Sequence, residues 1–193
     1  SVREVARNAH ENGSPIKLNC VYATGEYASE NDRKEIEEGL GAPFRMIYAS
    51  REAGYLGFEC EKRRMHVNEE WAYLEIVDEH GSRVPAGVEG RVVVTCFDNR
   101  VMPLIRYDLG DRGSLHLAAC PCGRSLKTIT LNGRQAEIIH TGNISCSLLD
   151  ITSCIDFYAG AVRQFQIIEH APENLTIKVV PGLQFQARKK ALF

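Results

Sequence analysis

The sequence predicts a mixed α/β fold that ends in a small, separate α+β domain. Strand-like and helix-like segments alternate early in the chain, and the middle part is rich in β-branched and aromatic residues punctuated by glycine and proline turns. After Asn132 the helix and strand patterns start again, so we place the domains at 1–132 and 133–193. The chain has 193 residues, of which 44% are hydrophobic and 25% charged, a balance that suits a globular core.

Two helices are predicted before the β-rich part. Apolar residues at helical spacing indicate the end of a helix within Ser1–Asn12. The polar segment Ser29–Leu40 predicts a surface helix that is capped by Ser29 or Asn31 and stopped by Gly41.

Short apolar or alternating runs predict the strands. They lie at Ile16–Thr24, Pro43–Ala49, Trp71–Val77, Gly90–Phe97, Gly113–Ala118, Glu137–Thr141, Val162–His170 and Leu175–Val180. The first two flank the polar helix and make a strand–helix–strand unit, whereas those in the middle are expected to form an antiparallel sheet. One more helix is predicted near Ser147–Tyr158.

Charge and hydropathy exclude several classes of function. Lys and Arg number 23 and Asp and Glu 25, so a net charge of −2 gives no general attraction to nucleic acid or to an anionic membrane. An apolar run of about 18 residues and a signal pattern are both missing, so we expect a cytoplasmic protein without membrane or nucleic-acid partners. Seven cysteines in a reducing compartment favour buried thiols or metal ligands over disulfides.

Four cysteine and histidine residues have a spacing that suits a structural metal. Cys60 and His66 lie close together in sequence, and Cys120 and Cys122 lie on a second turn. Zinc takes four such donors in a tetrahedron, often two from each of two loops. The alternative is four unrelated residues with reduced thiols and a hydrogen-bonded histidine, and His116 would be a substitute ligand.

Three expected loops combine glycine with carboxylates or arginine. They are Tyr48–Gly54, Arg106–Asp111 and Gly133–Glu137. A carboxylate at a strand end can hold magnesium or accept ribose hydroxyls, a tyrosine can stack on a base, and an arginine can pair with phosphate. Each residue alone also fits a structural role, such as a turn cap at Asp111 or an exposed carboxylate at Glu52.

Taken in this order, the segments resemble the C-terminal half of an adenylate-forming enzyme, in the branch of the phenylacetate–CoA ligases and CapK-type proteins. The resemblance rests on Glu59–Glu61, His66–Glu70, Tyr73–Asp78, Gly90–Thr95, Pro103–Asp111 and Cys120–Arg124. It implies that 1–132 is the end of the large ATP/AMP-binding domain, including a β-rich subdomain. Residues 133–193 would then be the small mobile domain.

The resemblance also implies a nucleotide site. Its residues would be Tyr48, Ser50, Arg51, Glu52, Asp111 and Arg134. Tyr48 would lie beside the adenine, Glu52 would help to hold Mg²⁺, Asp111 would bind the ribose hydroxyls and Arg134 would contact the nucleotide. Glu52 and Arg134 are the expected catalytic residues. The cysteine and histidine positions likewise resemble those of the branch, which favours structural Zn²⁺ at Cys60, His66, Cys120 and Cys122.

The implied reaction has two steps. A carboxylic acid attacks the α-phosphate of Mg²⁺–ATP to give an acyl-adenylate and pyrophosphate, and the thiol of CoA then displaces AMP. The expected partners are therefore a small carboxylic acid and CoA, with a homodimer as a further expectation. The alternatives are a CapK-type or coenzyme adenylyltransferase that does not use CoA, and a non-catalytic, zinc-stabilised binding module.

Three residues depart from the family pattern. Arg51 stands where threonine or serine usually contacts phosphate, Ala49 replaces a glycine, and Ala136 replaces the hinge aspartate. The family's phosphate loop and its C-terminal catalytic lysine have no match in these residues. We therefore expect the chain to be part of a longer ligase and to be inactive on its own.

Overall fold

In this computed structural model, the chain divides into two units, Ser1–Gln135 and Ala136–Phe193. The described residues are 2–12, 17–25, 27–135, 138–141, 144–147, 150–151, 154–155, 161–171, 174–182 and 184–186. The helices are α1 (Val2–Asn12) and α2 (Glu30–Leu40). The strands of the first unit are β1 (Val21–Ala23), β2 (Phe44–Ser50), β3 (Gly54–Glu59), β4 (Met65–Val67), β5 (Ala72–Val77), β6 (Gly90–Cys96), β7 (Tyr107–His116) and β8 (Thr128–Arg134). Those of the second unit are β9 (Ile138–Thr141), β10 (Ile144–Ser147), β11 (Val162–Ala171) and β12 (Asn174–Pro181).

Helix α2 begins and ends where the sequence predicts. The Ser29 hydroxyl accepts a hydrogen bond from the backbone N–H of Asp32 at 3.1 Å, and the Asp32 carboxylate accepts one from the N–H of Ser29 at 3.1 Å. This reciprocal capping box satisfies two of the helix's unpaired donors and identifies Ser29 as the cap. At the other end Gly41 takes a left-handed conformation with φ 62° and donates to the carbonyl of Glu37.

Helix α1 packs closely against α2. A Cβ atom at Gly39 would lie 2.4 Å from the carbonyl oxygen of Ala6, so only glycine allows this approach. Ala6 is fully buried and packs with Ile36 and Phe44 in a small apolar core. Arg7 and Glu35 add an ion pair at 2.6 Å between the two helices.

Strands β1 to β8 form one sheet in the order β1-β2-β3-β4-β8-β7-β6-β5. β1 and β2 are parallel and joined through α2. All the other neighbouring strands in this order, from β2 to β5, pair antiparallel. The predicted α/β fold with an antiparallel middle part is thus confirmed. The main core contains buried side chains from most of these strands: Tyr48, Ala53, Leu56, Val67, Ala72, Leu74, Ile76, Val92, Val94, Leu104, Leu109 and Ile129.

The prediction of a loop at Arg106–Asp111 is wrong, because most of this segment belongs to strand β7. Gly110 has a φ of 72° and the register shifts beside Asp111, so the strand carries turn-like residues at a bulge. Tyr48 to Ser50 likewise lie in β2, and only the three following residues form the turn to β3. The strand predicted at Ile16–Thr24 is shorter in the structure, where β1 spans Val21–Ala23.

In the second unit, β9 pairs with β10 and β11 pairs with β12, both antiparallel. The strands predicted at Glu137–Thr141, Val162–His170 and Leu175–Val180 are therefore confirmed with small changes at their ends. The helix predicted near Ser147–Tyr158 lies largely outside the described residues. Among the residues that are described, no helix combines the length and the apolar character needed to cross a bilayer.

Replacing Gly39 by alanine should destabilise the protein, although alanine normally stabilises a helix interior by about 1 kcal/mol relative to glycine. The added methyl group would press on the Ala6 carbonyl and force α1 away from α2, at a cost of about 1–3 kcal/mol. Urea unfolding followed by circular dichroism measures the effect. Lys34→Ala, at an exposed position of the same helix, is the control and should change stability by less than about 0.5 kcal/mol. A gain in stability for Gly39→Ala would contradict the close packing.

Candidate nucleotide and metal sites

The carboxylate of Asp111 lies between side chains from two other strands. Its Oδ2 accepts a hydrogen bond from the hydroxyl of Tyr48 on β2 at 2.7 Å. Its Oδ1 accepts one from Nε of Arg134 at 3.1 Å, and the two residues are direct partners in the β7–β8 ladder. Arg134 also donates to the carbonyl of Leu109 at 3.1 Å, so its guanidinium is bound to β7 at two points.

The hydrogen bonds from Tyr48 and Arg134 orient the Asp111 carboxylate. Tyr48 is 7% exposed, and burial together with the neighbouring carboxylate raises the pKa of Tyr48 above its usual range, so its hydroxyl stays protonated and donates. A carboxylate has about four acceptor positions, of which these two contacts use two. The remaining positions on Asp111 suit a ligand that brings hydroxyl groups.

The turn between β2 and β3 carries the other predicted nucleotide residues. Ser50 accepts a hydrogen bond from the backbone N–H of Ala53 at 3.0 Å, and the indole N–H of Trp71 donates to the Ala53 carbonyl at 2.8 Å. These contacts fix the turn, and Arg51 and Glu52 are exposed at its tip. The structure therefore joins Tyr48, Asp111 and Arg134 directly, whereas Ser50 supports the backbone of the turn.

The four predicted metal ligands also come together. One side-chain donor atom from each of Cys60, His66, Cys120 and Cys122 lies within 4.8 Å of all the others. The sulfur atoms of Cys60 and Cys120 are 3.8 Å apart, and Nε2 of His66 is 3.3 Å from the sulfur of Cys122. A tetrahedral ion with Zn–S bonds of about 2.3 Å separates two sulfur ligands by about 3.8 Å. The spacing of the donors therefore fits zinc.

Two tight turns present these donors. The N–H of Cys60 donates to the carbonyl of Arg64, and Arg63 adopts a left-handed φ of 55° between the end of β3 and β4. The N–H of Gly123 closes a second turn on the carbonyl of Cys120 at 3.0 Å, with φ 86° at the glycine. His66 lies inside strand β4, whereas Cys60 directly follows the end of β3.

The surroundings of His66 suit a metal ligand as well. The residue is fully buried, and its Nδ1 lies 3.2 Å from the carbonyl oxygen of Leu126, so Nδ1 carries the proton and Nε2 is free to bind. Burial disfavours the thiolate of Cys122, but hydrogen bonds from the backbone and side chain of Arg124 and from the other thiols lower the pKa of Cys122 to about 6. His116 takes no part in this cluster, because its Nε2 lies beside Ser114 and Thr130.

Two supporting residues escaped the sequence analysis. Leu126 contributes through its backbone carbonyl, for which a sequence carries no signal. Trp71, by contrast, is the one tryptophan of the chain, and the sequence predicts only a strand position for it. Its place at the start of a strand, next to polar residues, was the available sign that its N–H has a specific acceptor.

Comparison with known proteins supports the resemblance, although no family model matches the chain. A phenylacetate–coenzyme A ligase of Thermus thermophilus is 31% identical over 173 residues, which cover 82% of this chain and 39% of that protein. The CapK protein of Staphylococcus aureus is 21% identical over 184 residues, covering 93% of this chain and 40% of CapK. The chain thus spans about two-fifths of the length of the curated relatives it matches.

Solved structures show the same fold. A crystal structure of 2-hydroxyisobutyryl-CoA ligase in the postadenylation state aligns with a TM-score of 0.81 at 22% identity, covering 96% of this chain and 42% of that one. It contains R3-HIB-AMP, and another structure of that ligase contains 2-HIB-AMP together with CoA. An anthranilate CoA ligase bound to anthranoyl-AMP aligns with a TM-score of 0.61 at 16% identity over 89% of this chain and 37% of that one. The chain is accordingly a homologue of phenylacetate–coenzyme A ligase and CapK, and it has the fold of the corresponding part of the solved CoA ligases.

Proposed function

We propose that this chain carries part of the active site of an ATP-dependent acyl- or aryl-CoA ligase of the phenylacetate–CoA ligase type. The observation that carries the proposal is the Asp111 carboxylate, which Tyr48 and Arg134 hold from two sides. The acceptor positions of Asp111 that the described residues leave open match the paired hydroxyls of a ribose. The 31% identity to phenylacetate–coenzyme A ligase supports the same assignment.

In the first step, the carboxylate of the substrate would attack the α-phosphate of ATP, forming an acyl-adenylate and releasing pyrophosphate. Asp111 would hold the ribose, Tyr48 would keep Asp111 oriented from beside the adenine, and Arg134 would contact the nucleotide from the end of β8. Arg51 and Ser50 would lie near the phosphates, where a guanidinium can offset negative charge.

Glu52 offers a carboxylate oxygen, the type of ligand that Mg²⁺ prefers, and its side chain is exposed at the turn. Mg²⁺ bound with ATP would withdraw charge from the phosphate oxygens as the adenylate forms.

In the second step the thiol of CoA would attack the acyl carbonyl and release AMP. Residues 1–132 would be the end of the large domain and 133–193 the small mobile domain of such an enzyme, which we expect to act in the cytoplasm.

A transferase that adenylates its substrate without using CoA is the second candidate. The similarity to CapK covers 93% of the chain, and Ala136 stands where the family has its hinge aspartate. The two candidates differ in the acceptor, so release of AMP that depends on CoA separates them.

We further propose that Cys60, His66, Cys120 and Cys122 bind a structural Zn²⁺. Support comes from the donor set of three thiols and one imidazole, from the 3.8 Å sulfur–sulfur distance, and from the Leu126 carbonyl that orients His66. A closed shell of four protein ligands leaves no position for substrate, so this ion would stabilise the fold and take no part in adenylation.

The full-length natural protein should catalyse exchange of pyrophosphate into ATP with a panel of aryl and acyl carboxylic acids. Asp111→Asn should reduce this exchange about 10- to 100-fold, because hydrogen bonds to a charged group contribute about 1.5–3 kcal/mol. Asp98→Asn, which changes an exposed aspartate on the β6–β7 loop, is the matched control and should leave the rate unchanged. Failure of the full-length protein with every carboxylic acid tested would refute the ligase assignment.

The 193 residues expressed alone should not exchange pyrophosphate, since they contain no match to the family's phosphate loop. The same assay, run beside the full-length protein at equal concentration, tests this expectation. Exchange by the isolated chain would show that these residues suffice for adenylation.

Native mass spectrometry should detect one zinc per chain, lost on denaturation. Cys122→Ser removes one of four ligands and should release the metal, whereas Cys96→Ser, at a half-buried cysteine on β6, should retain it. A metal-free wild-type protein purified without chelators and still folded would exclude the zinc site.

A further inference from the structure

We propose that the Cys60–His66–Cys120–Cys122 cluster positions the nucleotide site: its ligands crosslink the junction of β4 and β8 and thereby set the alignment of Tyr48 against Asp111 and Arg134. The inference rests on the proposed nucleotide and zinc sites, and it assigns to the metal ligands a role in ligand binding beyond stabilising the fold.

The β4–β8 ladder joins the half of the sheet formed by β1–β4 to the half formed by β5–β8, and it has the fewest paired residues in the sheet. β4 has three residues, and its recorded partners on β8 are Met65 with Ile129 and His66 with Thr128. The ladders on either side are longer, with three pairs between β3 and β4 and five between β7 and β8. Short ladders constrain register weakly, because each pair adds a small increment of stability.

The proposed nucleotide residues lie on opposite sides of this junction. Tyr48 belongs to β2, which reaches β4 through β3, whereas Asp111 and Arg134 belong to β7 and β8. The hydrogen bond between Tyr48 and Asp111 therefore depends on how β4 sits against β8. A small slip at the junction would move the Tyr48 hydroxyl out of the 2.7 Å contact.

The cluster draws two ligands from each side of the junction. Cys60 follows β3 and His66 lies in β4, while Cys120 and Cys122 lie in the connection between β7 and β8. His66 is itself one of the paired residues, and its ring stacks on Phe58 of β3 at 5.9 Å between centroids. An ion held by these four donors would fix both sides with bonds of defined length and angle.

Two hydrogen bonds to backbone carbonyls also cross the junction, from the N–H of Val67 to Lys127 at 2.9 Å and from Nδ1 of His66 to Leu126 at 3.2 Å. The remaining contacts are less directional or more exposed. Lys127 pairs with Glu69 at 2.6 Å and Arg124 with Glu61 at 2.9 Å, but these side chains are between 32% and 52% exposed. Exposed ion pairs contribute about 0–1 kcal/mol. Apolar packing of Val67 and Ile129 also joins the halves, yet the hydrophobic effect is non-directional and tolerates small shifts.

The test compares the full-length protein loaded with zinc, depleted of metal by a chelator, and reloaded. AMP is the probe, and its affinity is measured by calorimetry. Depletion should weaken AMP binding by at least about fivefold, within the usual range of coupling between two sites, and zinc should restore it. Cys120→Ser should behave like the depleted protein and Cys96→Ser like the loaded one.

Hydrogen–deuterium exchange gives a second readout that does not depend on nucleotide. Metal depletion should speed exchange in 65–67 and 127–131 and leave 72–77 and 90–96 protected. Faster exchange across the whole sheet would mean general unfolding and would overturn the inference. Equal AMP affinity with and without metal would overturn it while leaving the proposed function standing. If zinc-loaded protein fails to bind AMP, the proposed nucleotide site is wrong and the inference falls with it.

Discussion

The pairing of β4 with β8 is the constraint on which the first unit depends. β1, β2 and β3 connect to the rest of the sheet through β4, so every side chain on those strands is placed relative to β7 and β8 by a strand of three residues. β3 and β4 also lie unusually close together, since a Cβ atom at Gly57 of β3 would lie 2.7 Å from the carbonyl oxygen of His66. Close approach of β3 and β4 is therefore built into the sequence at a glycine.

Two buried carboxylates, Glu59 and Glu75, connect strands of the sheet to neighbouring segments through hydrogen bonds and ion pairs. Near β2, Glu59 is 7% exposed and accepts hydrogen bonds from Arg33 at 2.9 Å and from the backbone N–H of Met46 at 2.8 Å, which ties α2 to the strands. At the other end Glu75 on β5 is 5% exposed and pairs with Arg83 and Arg106. Removing Arg33, or both Arg83 and Arg106, would leave a buried charge without an ionic partner, so these carboxylates fix positions more than they add net stability.

What the sequence revealed was mostly local chemistry. The ends of α2 could be predicted because Ser29 and Gly41 terminate a helix by their own side-chain and backbone properties. The metal ligands could be grouped because cysteine and histidine on two short turns are rare enough to stand out. Strands β3, β4 and β8 escaped prediction, because Gly57 interrupts β3, β4 has only three residues, and the apolar residues of β8 are limited to Ile129 and Leu131. The hydrogen bond from Tyr48 to Asp111 joins residues 63 positions apart, and one sequence holds no sign of such a contact without the register of the sheet.

The distance along the chain between Cys60 and Cys120 affects how fast the first unit folds. Hairpins such as β5–β6 join neighbouring segments and close quickly, whereas Cys60 and Cys120 are 60 residues apart and their approach must wait until a long loop has closed. Until then, the apolar faces of two partly formed sheets stay exposed to solvent and to other chains. Zn²⁺ bound at the proposed site would hold the two turns together once this loop has closed, so the supply of metal during synthesis would shorten the aggregation-prone stage.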